Sequence, residues 1–334
     1  MKYDSWRNIW VYPMGEEDLR VFKEISSLET EQRNPASEAL SEMETIDILR
    51  VINEEDKKVA YAVEKAIPEI AKLVDTIVEA VKSGGKWFYV GAGTSGRLAV
   101  MDVAELLPTY DIGPETVEAL IAGGPGAMVR PIEGAEDDEE MAVRELKGKR
   151  LSSKDVVVGV SASGRTPYVV SALRYAQSIG AKTAAITCVE GSPVTKYADI
   201  KIVLRTGPEV ITGSTRMKAA TAQKMVLTML STTVMVKLGR VHGNLMVSLQ
   251  PVSRKLKERA KRILIMEAGV TYEQATRILE AANYNVVAAI VMAQAGIGYD
   301  DAMKILERSN WIPTRAIELA KRLKESGEIA GVQY

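Results

Sequence analysis

Apolar positions along this chain change period twice. From Thr45, Ile46, Ile48, Leu49 and Ile52 open a helical pattern, and Val59, Val63, Ile67, Ile70 and Leu73 carry it through Glu54–Lys82 at close to helical spacing. Pro68 falls inside this run and predicts a kink or a split; Ser83-Gly84-Gly85 ends it. Short apolar runs then alternate with amphipathic stretches. Lys86–Gly91, Glu118–Ala122, Asp155–Val160, Thr183–Cys188 and Ile200–Leu204 read as strands, and Arg97–Leu107, Asp137–Leu146, Pro167–Ile179 and Ser214–Leu238 as helices. Strands separated by helices of this length predict an α/β fold, a mainly parallel sheet covered on both faces. Past residue 250 the pattern is helical only. Val252–Ala268, Thr271–Ala295 and Tyr299–Ser309, with turns at Gly296 and Gly298, predict a small helical bundle. No internal repeat stands out. The chain thus divides into an N-terminal arm (1–44), an α/β domain (45–250) and a C-terminal helical module (251–334). In the irregular first part of the arm, Trp6 and Trp10 are expected to pack on the body or on a partner subunit.

Composition narrows the chemistry. The 334 residues carry 43 Lys plus Arg against 44 Asp plus Glu, a net charge of -1, which gives no electrostatic drive toward nucleic acid or an anionic membrane. With one Cys (Cys188) and one His (His242), the chain has no internal disulfide, no Cys cluster for zinc and no multi-His metal site. The N-terminus lacks the apolar run of a signal peptide. The longest apolar stretch, Met225–Val236, falls well short of the ~20 residues that span a bilayer, and reads as a buried helix of a cytoplasmic protein. Catalysis must therefore rest on carboxylates, lysines, hydroxyls and backbone amides.

Ligands of open parallel sheets bind outside the carboxyl ends of the strands. Three segments there join a strand to a helix through Gly, Ser and Thr: Gly91–Arg97 (GAGTSGR), Ser161–Pro167 (SASGRTP) and Thr212–Arg216 (TGSTR). Each sets hydroxyls and free N–H groups at a helix N-terminus, a natural anion site. Gly91–Gly96 also fits GxGxxG, but the next strand ends in Gly123-Gly124, without the acidic residue that would hold a ribose. A Walker A ending is missing too, so the loops fit a phosphate monoester better than a nucleotide.

SASGRT resembles the loop by which sugar isomerase (SIS) domains hold a sugar phosphate. The strings TEQRNPAS (30–37), INEED (52–56), VGAGTSGRLAVMDVAE (90–105), LIAGG (120–124), IEGAEDD (132–138), DVVVGVSASGRTPYV (155–169), GPEVITGSTRMKAATAQKMVLTMLST (207–232) and GNLMV (243–247) are similar to N-acetylmuramic acid 6-phosphate etherases over roughly 28–320. That resemblance implies a SIS-type three-layer αβα sandwich with the helical module appended, the latter similar to a ubiquitin-associated bundle. It implies cleavage of the D-lactyl ether of N-acetylmuramic acid 6-phosphate to N-acetylglucosamine 6-phosphate and D-lactate, with no metal or organic cofactor, in a homodimer whose partner is a small sugar phosphate.

The ether oxygen is β to the aldehyde of the opened sugar, so one base and one acid suffice for elimination, and water then adds back. The resemblance assigns Glu105, in Asp102-Val103-Ala104-Glu105, as proton donor and Glu136 as the second catalytic carboxylate. It puts the phosphate on Ser95, Ser161, Ser163 and Thr166, with Gly93 and Thr94 close by. Arg97, Arg165, Arg216 and Lys218 are further charge partners for the phosphate or the lactate carboxylate. Where the family usually reads Ala-Ser-Glu-Cys-Pro-Pro-Thr, this chain has Val103-Ala104-Glu105-Leu106-Leu107-Pro108-Thr109. His242 and Cys188 are expected to pack. The alternatives are a non-catalytic sugar-phosphate-binding regulator, like the related glucokinase regulatory protein, and a sugar-phosphate isomerase.

Overall fold

The computed structural model describes residues 28–332 apart from 250 and 252, Tyr334, Leu19, Phe22, Ser26, and the backbone of Lys2–Asp4 (β1) and Ile9–Val11 (β2). Those two short strands pair antiparallel within the stretch expected to be irregular. Trp6 and the side chain of Trp10 lie outside the described residues.

All five expected strands form: β3 (Trp87–Gly91), β4 (Val117–Ile121), β5 (Val156–Val160), β6 (Lys182–Thr187) and β7 (Ile200–Val203). They make one parallel sheet in the order β4-β3-β5-β6-β7. Because side chains alternate along a strand, each strand feeds two cores. Trp87, Tyr89, Val156, Val158 and Ile186 pack with α1 (Thr45–Lys82), α2 (Gly93–Tyr110) and α5 (Lys218–Lys237). Phe88, Val90, Val157 and Ala185 pack on the other face with α3 (Glu139–Gly148) and α4 (Pro167–Ser178). The result is the three-layer αβα sandwich.

Several expectations are corrected. The run with Pro68 is one helix of 38 residues, neither split nor ended there. Pro removes one hydrogen bond, but Val63, Ala66, Ile70 and Leu73 bury one continuous stripe across it, and that burial holds the helix together. Helix α2 starts at Gly93, not Arg97, so the glycine-rich loop is its first turn. Thr271–Ala295 is two helices, α7 (Tyr272–Ala281) and α8 (Val286–Ala295), bent by 117°. Asn283 and Tyr284 break the run by taking left-handed backbone (φ 50° and 58°), and Asn285 caps α8 by accepting from the N–H of Ala288. The module also contains α6 (Arg254–Ala268), α9 (Tyr299–Arg308) and the unanticipated α10 (Pro313–Glu325).

The module carries an internal repeat that the sequence reading missed. Tyr272, Ala275, Ile278, Leu279, Glu280, Asn283, Ala289, Ile290 and Ala293 recur 27 residues later as Tyr299, Ala302, Ile305, Leu306, Glu307, Asn310, Ala316, Ile317 and Ala320. Each copy is a helix, two left-handed residues and a second helix; Asn310 and Trp311 (φ 52° and 58°) repeat the geometry of Asn283 and Tyr284. Buried residues of both copies share one core, which contains no buried residue before Val247.

The long helices α1 and α5 are bolted by charge. Lys218, buried at the start of α5, pairs with the buried Glu55 of α1, which also takes Lys58. Burial pushes the Glu55 carboxyl up, but hydrogen bonds from Lys218, Lys58 and Asn34 outweigh this and hold it at about 2. Since the folded value lies below the ordinary 4.5, this contribution to stability is full above 4.5 and is lost as pH falls from there toward 2. Lys218→Ala is expected to destabilise the fold by roughly 3–5 kcal/mol at neutral pH, because it leaves a buried charge underpaired. It should also flatten the acid limb of stability; urea melts between pH 3 and 7 measure both.

Candidate active site

The sheet order decides where a ligand fits. Strand β3 is followed in sequence by β4 on one side, but its other neighbour is β5, so the connections leave in opposite directions between β3 and β5. This switch point opens a crevice at the carboxyl ends of the strands. Gly91 and Val160 are register partners there, which puts two neighbouring loops side by side at the usual strand spacing of about 4.8 Å.

The first loop works because it lacks side chains. A Cβ on Gly96 would meet Ile121 Cγ1 at 2.6 Å and the Gly91 carbonyl oxygen at 2.8 Å, so only glycine lets the first turn of α2 sit on the strand ends. No side chain caps α2 at Ala92, which leaves its first N–H groups facing the crevice. Ser95 is buried and donates to Gln223 Oε1 of α5 at 2.8 Å; its hydroxyl therefore ties α2 to α5 as well as lying in the loop. Thr94 is half-buried and Gly93 is exposed.

The second loop follows β5. Ser161 Oγ and Thr166 Oγ1 lie 2.9 Å apart, Ser161 Oγ accepts from the N–H of Gly164, and Ser163 Oγ accepts from that of Arg165 at 3.3 Å. Gly164 has φ +66°, and a Cβ on it would fall 2.0 Å from Ser192 Oγ. Helix α4 begins at Pro167 with no side-chain cap, so its N-terminal dipole also points at the crevice. Two uncapped helix ends and the hydroxyls of Ser161, Ser163 and Thr166 thus lie at neighbouring strand ends.

The third loop does not join them as an open helix end. Glu209, itself buried, accepts from the N–H groups of Lys218 and Ala219 at 2.9 Å each, so the start of α5 already holds an internal carboxylate. Lys218 is committed to Glu55, which removes it from the free cations. Arg97 donates from Nε to the carbonyl of Met128 at 3.3 Å and fastens the turn that follows β4. Arg216 is exposed.

The two glutamates part company. Glu136 borders an open cleft of about 200 Å³ together with Gly93, Arg97, Ala122 and Glu133, directly beside the first loop. Glu133 was not singled out in the sequence; its place in the same IEGAE turn was the available signal. Glu105 follows Gly93 by twelve residues on α2, roughly 18 Å along the axis, on the exposed surface and away from the crevice of its own chain. Exposed Met101 and Leu107 flank it. Asp102, half-buried on the same helix, accepts from Ser231 of α5 at 3.1 Å; desolvation pushes its carboxyl up to about 6, against the pull of Ser231 and Lys224. The Cys188 thiol is buried and pushed up to about 12 by that burial, as a core residue should be. His242 packs against Glu267 at 3.0 Å.

Known proteins similar to this chain point to one family. A family model described as the glucokinase regulatory protein N-terminal SIS domain matches residues 69–177, and a SIS domain model matches 140–237. The chain is 51% identical to an N-acetylmuramic acid 6-phosphate etherase of Clostridium beijerinckii over 80% of its own length and 88% of that relative. It is 53% identical to one of Geobacillus thermodenitrificans over 80% of its length and 91% of the relative. Among solved structures, a phosphoheptose isomerase from Francisella tularensis aligns with TM-score 0.45 at 18% identity, over 57% of this chain and 98% of that one.

If the second loop is a phosphate cradle, Thr166→Val should weaken inorganic phosphate binding about tenfold, the equivalent of one lost hydrogen bond to a charged group. Gly164→Ala should abolish it through backbone strain and the Ser192 clash. Calorimetric titration reads both.

Proposed function

Because this chain belongs to the N-acetylmuramic acid 6-phosphate etherase family, we propose that it cleaves the D-lactyl ether of N-acetylmuramic acid 6-phosphate, as a carbon–oxygen lyase. The observation that carries the reading is the pair of uncapped helix ends meeting Ser161, Ser163 and Thr166 at the switch point, joined to about 50% identity with etherases over most of the chain. Such a cradle suits the substrate's 6-phosphate: N–H groups and hydroxyls supply donors without needing a deprotonated or charged side chain.

With the phosphate held there by Ser95, Ser161, Ser163 and Thr166, and Gly93 and Thr94 alongside, the sugar extends over the cleft bordered by Glu136. A carboxylate removes the proton on carbon 2 of the open-chain sugar. The bond from carbon 3 to the ether oxygen breaks, and the leaving oxygen takes a proton to give D-lactate. Water then adds its oxygen to carbon 3 and a proton to carbon 2, giving N-acetylglucosamine 6-phosphate. Glu105 is the proton donor and Glu136 the second transfer group.

The distance along α2 between Glu105 and the crevice at that helix's start argues for a homodimer in which each crevice receives Glu105 from the other subunit. The exposed apolar flank of Met101 and Leu107 supports this face as the contact. Among the described residues no single helix is long and apolar enough to cross a membrane, and a charged phosphate ester is a substrate of the cytoplasm, where we place the enzyme.

D-lactate release from N-acetylmuramic acid 6-phosphate tests the activity. Run in ¹⁸O water, the label should enter the sugar and not the lactate; label in lactate would exclude elimination. Glu105→Gln should lower kcat by about 10²-fold or more. Mixing Glu105→Gln with Ser163→Ala protein should restore up to about a quarter of wild-type activity, because hybrid dimers regain one intact site; no restoration would place both glutamates in one chain. Sugar-phosphate binding without any lactate release would favour the regulator.

A further inference from the structure

Arg308, Arg315 and Arg322 have no task in the reaction or in the core of the helical module. They stand where the first copy of the repeat, 27 residues earlier, has Ala281, Ala288 and Ala295. The neighbouring core positions match between copies, so the arginines are an addition on a shared frame. All three line one depression, with Glu318 its only carboxylate.

That depression adjoins, through Asn310 and Arg315, a cleft of about 430 Å³ between the second repeat and the amino-terminal edge of the sheet. Lys82 at the end of α1, Lys237 at the end of α5, Arg240 and Arg315 line this cleft, and no carboxylate does. None of the four has an ion-pair partner among the described residues. Lys82 and Lys237 answer the negative ends of their helices. Arg315 does the reverse: it sits in the first turn of α10, where the helix end is already positive and a cation is disfavoured. Arg240, half-buried, adds to the same field. The cost of gathering these charges is relieved by an anion. One wall is Trp311, 39% exposed, and Ile112, Leu238 and Ile312 give the cleft apolar surface.

We propose that this cleft is a second ligand site, for a phosphorylated small molecule whose phosphate meets Arg240 and Arg315 and whose ring lies on Trp311. The volume is that of a small-molecule site, and a single aromatic wall offers no track for a polymer. The site stands about one strand length, roughly 17 Å, from the phosphate loops, at the opposite edge of the sheet. It is therefore separate from the crevice of the proposed etherase reaction.

Titration of the full chain with glucose 6-phosphate tests this by calorimetry. Wild type should show two sites per chain. Arg240→Ala/Arg315→Ala should remove one, and Thr166→Val with Ser161→Ala should weaken only the other, so failure of the phosphate-loop reading and failure of this one are distinguishable. Trp311→Phe should abolish the fluorescence change that follows the cleft site, and raising salt should weaken that site more than tenfold between low and high ionic strength. Should the double variant fold poorly, Arg315→Glu alone, at an exposed position, must eliminate the same site. A single site per chain, unchanged by Arg315→Glu, overturns the proposal; so does binding of heparin with no binding of glucose 6-phosphate by the cleft.

Discussion

The strand order around β3 is the constraint on which everything else rests. Had β4 and β5 added to the same side of β3, the loops after β3 and β5 would lie two strands apart. Because the chain reverses direction there, two loops that are about seventy residues apart start from adjacent strand ends, and one small anion can touch both. The glycines are subordinate to this: Gly96 lets the first turn of α2 sit on the strand ends, and Gly164 lets the left-handed turn of the second loop lie against Ser192 and Thr187. The charged pair Glu55–Lys218 serves the same end. It fixes α5 against α1, and α5 in turn holds α2 through Gln223 and Ser231.

Much of this was legible in the residues. The central strands β3 and β5 announced themselves as apolar runs because they are buried on both faces, while β4, β6 and β7 read as strands despite a Glu or Lys at a partly or fully exposed position. The phosphate loops were legible because glycine and hydroxyl residues at strand-to-helix junctions have few other reasons to cluster. Three things were not. Pro68 looked like a break because local rules weigh one lost hydrogen bond and ignore the buried stripe on both sides of it. The Thr212–Arg216 loop looked like a third anion site because nothing local shows that Glu209 folds back to occupy the helix end. The repeat stayed hidden for a related reason: its copies agree at buried and turn positions, while α8 is apolar on every side and α10 is charged on its outer face.

For the reaction, the division of labour follows from these positions. In the proposed reaction the crevice supplies fixed dipoles and hydroxyls to the phosphate, groups that need no protonation change of their own. In that proposal the mobile protons are left to Glu136 beside the crevice and to Glu105 supplied by the partner subunit. Asp102, half-buried on α2 and hydrogen-bonded to Ser231 of α5, braces the helix that carries Glu105; of the altered neighbours, Leu106 packs in the core and only Leu107 changes the exposed surface.

Helix α8 has a consequence for how the protein comes into being. From Val286 to Met292 every residue is buried, and the helices that cover it include α9 and α10, which lie after it in the chain. A ribosome delivers the chain from its amino end, so α8 emerges before its last two covers exist. For that interval the nascent chain displays an apolar rod with no mate, the kind of surface that chaperones hold and that neighbouring chains on a polysome stick to. The duplicated helix pair therefore closes this core in time as well as in space.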